Sequence, residues 1–173
     1  MLTLTLLRHA KSSWDDPALA DHDRPLSKRG TKAAPEIAKY LKREELLPNL
    51  VLCSGAVRTR ATLALILAEI GRAAPEIRYD DTLYLADPET ILQRVKDVEP
   101  QHTHLMVIGH NPGMHALALE LTGGGERKAV AALATEFPTA ALAVLTFDAT
   151  RWSDINAASG RLEHFVTPRR LAG

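Results

Sequence analysis

The chain has 173 residues, 46% of them hydrophobic, with 21 basic and 21 acidic side chains in balance. That length suits one domain over residues 1–173 with a sizeable core. The even charge argues against a broad nucleic-acid-binding field, no run approaches the roughly 18 apolar residues of a membrane span, and the lone Cys53 excludes an intrachain disulfide framework. Arg8, His9 and Lys11 break the first hydrophobic run and no cleavage pattern follows, so a cytoplasmic protein is expected.

Leu2 to Leu7 predicts a buried strand that stops abruptly at Arg8 and His9. The carboxyl edge of an open α/β sheet is where ligands bind; an ordinary surface pair at a strand end is the plain alternative. Lys11 to Pro25, with Trp14, Asp15, Asp16, Asp21 and Asp23, is polar and predicts a loop beside that edge. Ser27 suits a helix N-cap, and Ala33, Ala34, Ile37, Ala38 and Leu41 supply an apolar face. Pro35 inside that pattern should kink the helix or mark a boundary, and the helix ends before Pro48. Leu50 to Cys53 predicts the second strand and a buried cysteine; Ser54-Gly55-Ala56 turns the chain into a helix from Val57 to Ile70, ended by Gly71.

A short strand is expected around Ile77 to Tyr79, and Asp87-Pro88-Glu89 opens a helix reaching about Val98. Leu105 to Ile108 predicts a strand whose exit is Gly109-His110-Asn111-Pro112. Helices over Met114 to Leu121 and Glu126 to Glu136 flank Thr122-Gly123-Gly124-Gly125, which lacks the ending of a nucleotide loop and predicts a linker. Ala141 to Phe147 and Leu162 to Val166 are strand-like, and their short connections suit antiparallel edges on an otherwise parallel sheet. Strands alternating with helices give the α/β class.

His9 and His110 lie about a hundred positions apart, yet each follows a hydrophobic strand. Arg8 accompanies the first, and Arg58 opens the helix after the second strand. All four can reach one crevice. Arginine forks match phosphate oxygens bidentately, and helix amino ends add N–H donors. Such a pocket suits a phosphoryl group. A neutral imidazole attacks phosphorus if its other nitrogen keeps a proton, while positive donors stabilise the equatorial oxygens. Zinc held by the two histidines and one of Asp15, Asp16, Asp21 or Asp23 is the rival chemistry. No close ligand spacing supports it and two arginines oppose a cation, so no metal or organic cofactor is expected.

The chain resembles the histidine phosphatase superfamily, and within it the small branch of bacterial phosphohistidine phosphatases of the SixA type. The resemblance spans nearly the whole chain. It rests on Leu7-Arg8-His9-Ala10-Lys11-Ser12, on Arg24-Pro25-Leu26-Ser27 with Gly30, on Ser54 to Arg58 with Thr62, and on Gly109-His110-Asn111-Pro112. The late Ser159-Gly160-Arg161-Leu162 and Phe165-Val166-Thr167-Pro168 add to it. It implies a three-layer α/β/α sandwich with a mostly parallel sheet, the phosphoglycerate-mutase-like fold, and a metal-independent phosphatase. It also implies that His9 is the phosphorylated nucleophile, that Arg8 and Arg58 clamp phosphate, and that His110 contacts phosphate and aids proton transfer. Arg24 is either a phosphate contact at the rim or a salt bridge holding the loop; Ser12 either donates to phosphate or caps a turn. Lys11 and Trp14 fit local packing or the pocket edge.

One departure bears on the substrate. Larger members carry a mid-chain glutamate acid, or an aspartate directly after the second histidine; here Asn111 follows His110, and the middle offers Asp80, Asp81 and Asp87. An alkoxide leaving group needs a placed proton donor, whereas a phosphorylated imidazole or aryl oxide needs less help. His110 or a loop aspartate remains available as a donor. The short span between Arg58 and the strand before His110 leaves no room for a large lid insertion, so an open pocket is expected. The expected partner is a phosphorylated protein, with a small phosphorylated molecule or a non-catalytic phosphoprotein-binding role as alternatives; no nucleic acid or membrane is expected, and oligomeric state stays open. Trp152 and the Arg169-Arg170 tail fit a packed indole and a solvated terminus better than partner contacts.

Overall fold

The computed structural model describes residues 1–172. Its strands are β1 (Leu2–Arg8), β2 (Leu50–Cys53), β3 (Glu76–Tyr79), β4 (His104–Gly109), β5 (Thr122–Gly125), β6 (Leu142–Phe147) and β7 (Gly160–Val166). They form one sheet in the order β3-β2-β4-β1-β6-β7-β5. The four strands from β3 to β1 run parallel. β6 is antiparallel to both β1 and β7, and β7 is parallel to β5. The helices are α1 (Lys28–Arg43), α2 (Val57–Ile70), α3 (Pro88–Lys96), α4 (Gly113–Leu121), α5 (Arg127–Thr135) and α6 (Pro168–Ala172). None among the described residues is long and apolar enough to cross a membrane.

Strand alternation sorts the core into two layers. Leu2, Leu4, Leu6, Leu52 and Val107 face α3, α4 and α5, meeting Ile91, Val95, Leu117, Leu121 and Leu133. Leu7, Val51, Cys53, Met106 and Ile108 face the other way, against Ile37, Ala38 and Leu41 of α1 and Leu63, Ile66 and Ile70 of α2. The result is a three-layer α/β/α sandwich with a mostly parallel sheet. Trp152 is fully buried in the first layer and its indole N–H donates to the His102 carbonyl at 2.6 Å, so the packed indole is what forms.

Three expectations need correction. Of the kink or boundary expected at Pro35, the boundary does not form: α1 continues through it. A proline costs an interior helix about 3 kcal/mol, and the buried row Ala34, Ile37, Ala38 and Leu41 offsets that loss. The glycine run is not a linker but the edge strand β5, paired with β7. Glycine is required there by close approach, because a Cβ at Gly123 would lie 1.9 Å from the Ala158 carbonyl oxygen. Finally, β6 and β7 are antiparallel but interior; the sheet edges are β3 and β5. β6 pairs with β1 and β7 along its two edges, while Leu142 and Val144 pack into one core layer and Ala143 and Leu145 into the other.

The amino end of α1 is tied to the loop leaving β1. Ser27 caps the helix, its Oγ accepting from the Gly30 N–H at 3.1 Å. The Ser27 N–H and hydroxyl both donate to the Lys11 carbonyl, at 2.8 and 3.1 Å. Gly30 lies against that same carbonyl: a Cβ would stand 2.2 Å from its oxygen. Gly30→Ala must therefore push α1 off the loop, and the expected cost is about 1–3 kcal/mol. A urea midpoint equal to wild type would contradict this packing.

Candidate active site at the carboxyl edge of the sheet

Parallel register brings the two histidines together. Arg8 stands opposite Gly109, so the next residue of each strand, His9 and His110, leaves the sheet side by side. Their ring centroids are 5.3 Å apart. β2 ends level with them, Cys53 opposite Ile108; Ser54 follows directly and Arg58 stands in the first turn of α2. Arg8, His9, Arg58 and His110 line one cavity of about 310 Å³, together with Lys11, Ser12, Trp14, Asp21, Leu85, Asn111 and Thr139.

Arg58 lies at the centre and is only 5% exposed. Its Nε donates to His9 Nε2 at 3.3 Å and its Nη2 to His110 Nδ1 at 3.3 Å. Its Nη1 donates to the Asp21 carbonyl at 2.7 Å, and Nη2 also reaches Asp21 Oδ2 at 2.9 Å. The Tyr84 hydroxyl donates to the same Asp21 oxygen, and the Tyr84 ring stands edge-on to His110. Arg8 directs Nη1 to the Phe137 carbonyl at 3.2 Å, which also accepts from Asn111 Nδ2 at 2.7 Å.

The hydrogen bonds assign the tautomers. A carbonyl only accepts, so His9 Nδ1 carries the proton it donates to Ala10 O at 2.7 Å. Nε2 is then the lone-pair nitrogen, in agreement with its accepting from Arg58. His110 is the reverse: Nδ1 accepts from Arg58, so Nε2–H donates to Ser54 Oγ at 2.7 Å. Thr62 braces the first arrangement. Its hydroxyl accepts from the Ala10 N–H at 3.0 Å and donates to the Arg58 carbonyl at 2.7 Å, linking the His9 turn to α2.

Burial is the main reason that both imidazoles stay neutral. It pushes His9 down to about 4, with Arg58 and Arg8 adding repulsion against the Ala10 hydrogen bond. It pushes His110 down to about 3, reinforced by His9 and Arg58. Asp21 is held below the ordinary carboxylate range, first by the Tyr84 hydroxyl and then by Arg58, so it stays ionised. Burial raises the Cys53 thiol to about 12, which makes it an inert core residue.

The other residues singled out in the sequence fall into place around this centre. Ser12, Lys11 and Trp14 line the cavity. Arg24 does not: it is buried, its Nη1 and Nη2 donate at 3.0 Å to the Asp16 and Leu19 carbonyls, and its guanidinium stacks 3.7 Å over Trp14. It braces the loop, through carbonyls rather than a salt bridge. Asp15, Asp16 and Asp23 stay on the loop outside the cavity, and the Arg58 guanidinium touches the very groups, His9, Asp21 and His110, that a zinc ion would need. Among the described residues no three His, Cys, Asp or Glu side chains converge to hold a metal. Ser54, Asp21 and Tyr84 as partners of the histidines and Arg58 were missed. Asp21 and Tyr84 meet across 63 positions, which no local pattern reveals.

The site has known relatives. The description "Histidine phosphatase superfamily (branch 1)" matches residues 4–84. A protein of Mycobacterium leprae, itself uncharacterized, is 38% identical over 167 residues, 94% of this chain and 100% of that one. Among solved structures, a candidate phosphohistidine phosphatase SixA from Nakamurella multipartitia is 31% identical with a TM-score of 0.83, covering 96% of each chain. Another candidate SixA, from Agrobacterium tumefaciens, is 33% identical with a TM-score of 0.79, covering 96% of this chain and 98% of that one.

The depressed histidines set a direction for stability. His104, whose Nε2 bonds Thr5 Oγ1 at 3.1 Å, is also lowered by burial to about 4. Between the ordinary histidine value near 6.5 and these native values, the unfolded chain binds protons that the folded chain refuses. Stability must therefore fall as pH drops from about 6.5 towards 4, by on the order of 1 kcal/mol per histidine at pH 5.5. Urea unfolding at pH 7.5 and 5.5 checks this, with proton uptake on unfolding at the lower value. Equal stability at both would mean that the imidazoles titrate normally.

Proposed function

Because the chain belongs to the histidine phosphatase superfamily, in its SixA-like branch, we propose that it hydrolyses phosphoryl groups through a covalent phosphohistidine at His9, acting on phosphohistidine-bearing proteins. The observation that carries this reading is the His9 imidazole: neutral, its Nδ1–H fixed on the Ala10 carbonyl, its Nε2 lone pair turned to Arg58. A neutral, oriented imidazole is the form that attacks phosphorus.

In the proposed cycle the Nε2 lone pair forms a bond to phosphorus as the bond to the leaving group breaks. The donors of Arg58 turn from His9 and Asp21 to the phosphoryl oxygens, joined by Arg8, and hold the charge that spreads over them in the transition state. The cationic phosphoimidazole keeps its Nδ1 proton on Ala10. Water then attacks phosphorus, the P–Nε2 bond returns its electron pair to His9, and phosphate leaves. No metal is needed, since the two guanidiniums supply the positive field.

Proton donors are scarce, and that supports the substrate class. Asp21 is ionised by its bonds to Tyr84 and Arg58, so it does not start as an acid. His110 offers a lone pair at Nδ1 and donates only after taking a proton there, which an incoming phosphate dianion favours. The imidazole of a phosphohistidine that carries a proton on its other ring nitrogen leaves as a neutral ring and asks little of either. An alkyl phosphate asks for a full proton.

The test is kcat/KM on a phosphohistidine protein, phosphoserine and phosphothreonine peptides and a panel of phosphorylated metabolites, with and without chelator. The phosphohistidine protein should lead, and chelation should change nothing. An alkyl phosphate ahead by tenfold, about 1.4 kcal/mol of transition-state discrimination, would rule out the substrate class. In the same assay Arg58→Ala should lose about 3–4 kcal/mol of transition-state stabilisation. Arg24→Ala should lose much less. Equal losses in well-folded variants would contradict the role given to Arg58.

A further inference from the structure

The reaction cavity lies next to a basic trough and shares a wall with it. Lys11 and Thr139 line both the reaction cavity and a second one of about 250 Å³. Arg29, Ala33, Pro168 and Arg169 line that second cavity and also a third, of about 610 Å³, where Lys32 joins them. The three are therefore neighbours with shared walls, the second and third set between the first turns of α1 and α6. Lys11, Arg29, Lys32 and Arg169 are all exposed, and among the described residues none forms an ion pair. Two carboxylates oppose them. Glu36 is engaged by Lys39 at 3.2 Å, and Glu136 stands in the second cavity.

This concentration of positive charge is not a background effect, because the chain as a whole is balanced at 21 basic and 21 acidic residues. The loop on the Trp14 and Asp21 rim of the reaction cavity has the other sign, with Asp15, Asp16, Asp21 and Asp23, and none of these lines the trough. A chain running away from a phosphoryl group on His9 is therefore attracted along Lys11, Arg29 and Arg169 and repelled by the aspartate loop if it is acidic. Fields of this kind select partners more than they add affinity.

We propose that the trough receives an acidic segment flanking the phosphorylated residue of a protein substrate. This rests on the reading that a phosphorylated protein enters the reaction cavity, and it adds what that protein looks like next to its phosphate. Ala33, Pro138, Pro168 and Leu171 supply apolar surface to the same trough.

The test uses fluorescent peptides with one phosphohistidine or one phosphoserine, flanked on both sides by Asp and Glu or by Asn and Gln. Binding is read by anisotropy on the full-length His9→Ala variant, and turnover on the wild type. At low salt the acidic flank should bind about tenfold tighter, and the gap should close as salt rises. The double variant R29E/R169E should abolish the preference while leaving neutral-flank binding and hydrolysis of a small aryl phosphate unchanged. Equal binding of both flanks, or a double variant that weakens both alike, overturns the trough. A flank preference in binding combined with turnover of phosphoserine alone keeps the trough and sinks the phosphohistidine reading. Phosphohistidine turnover without flank preference does the reverse.

Discussion

The buried guanidinium of Arg58 is the contact on which the rest of the site depends. It touches His9 Nε2, His110 Nδ1 and Asp21 at distances between 2.7 and 3.3 Å, and so joins the ends of β1 and β4 to the loop before α1. A buried cation of this kind is tolerable only when its donors are matched. Here they are matched by two neutral imidazoles and by the backbone carbonyl and carboxylate of Asp21, and only that carboxylate carries the countercharge. The same closeness that satisfies the guanidinium helps to hold the imidazoles neutral.

That arrangement is a consequence of register. β1 and β4 are parallel neighbours, Arg8 opposite Gly109, and β2 is the next strand, Cys53 opposite Ile108. A slip of one residue would turn every side chain of the slipped strand to the opposite face. Leu2, Leu4 and Leu6 in one core layer and Leu7 in the other fix the register against such a slip. The packing of the sandwich is therefore also what aims the histidines. Thr62 extends the same logic into the turn, since it ties the Ala10 backbone that orients His9 to the helix that carries Arg58.

Much of this was legible in the sequence wherever the signal was local. The α2 span, the Ser27 and Asp87 caps and the strands that stop just before His9 and His110 follow from periodicity and capping chemistry within a few residues. The placement of Arg8, His9, Arg58 and His110 in one cavity followed from strand-end logic. What stayed hidden depends on contacts between distant segments. β5 has no apolar pattern, and Gly123 and Gly125 make sense only beside Ala158 and Leu162 of β7. Pro35 reads as a kink or a boundary until the burial around it is known. Asp21 and Tyr84 look like ordinary loop residues until the fold sets them on Arg58.

The central claim is chemical: His9 keeps its proton on Nδ1 and works through Nε2. The most direct measurement is ¹⁵N and ³¹P NMR on protein labelled at histidine nitrogen, before and after rapid exposure to a phosphohistidine substrate. At pH 7 the free protein should show a neutral His9 protonated at Nδ1, and the trapped intermediate should carry phosphorus on Nε2 of that residue, with Nδ1 still protonated. Phosphorus on Nδ1, on His110 or on Asp21, or a free His9 with its proton on Nε2, would contradict the account.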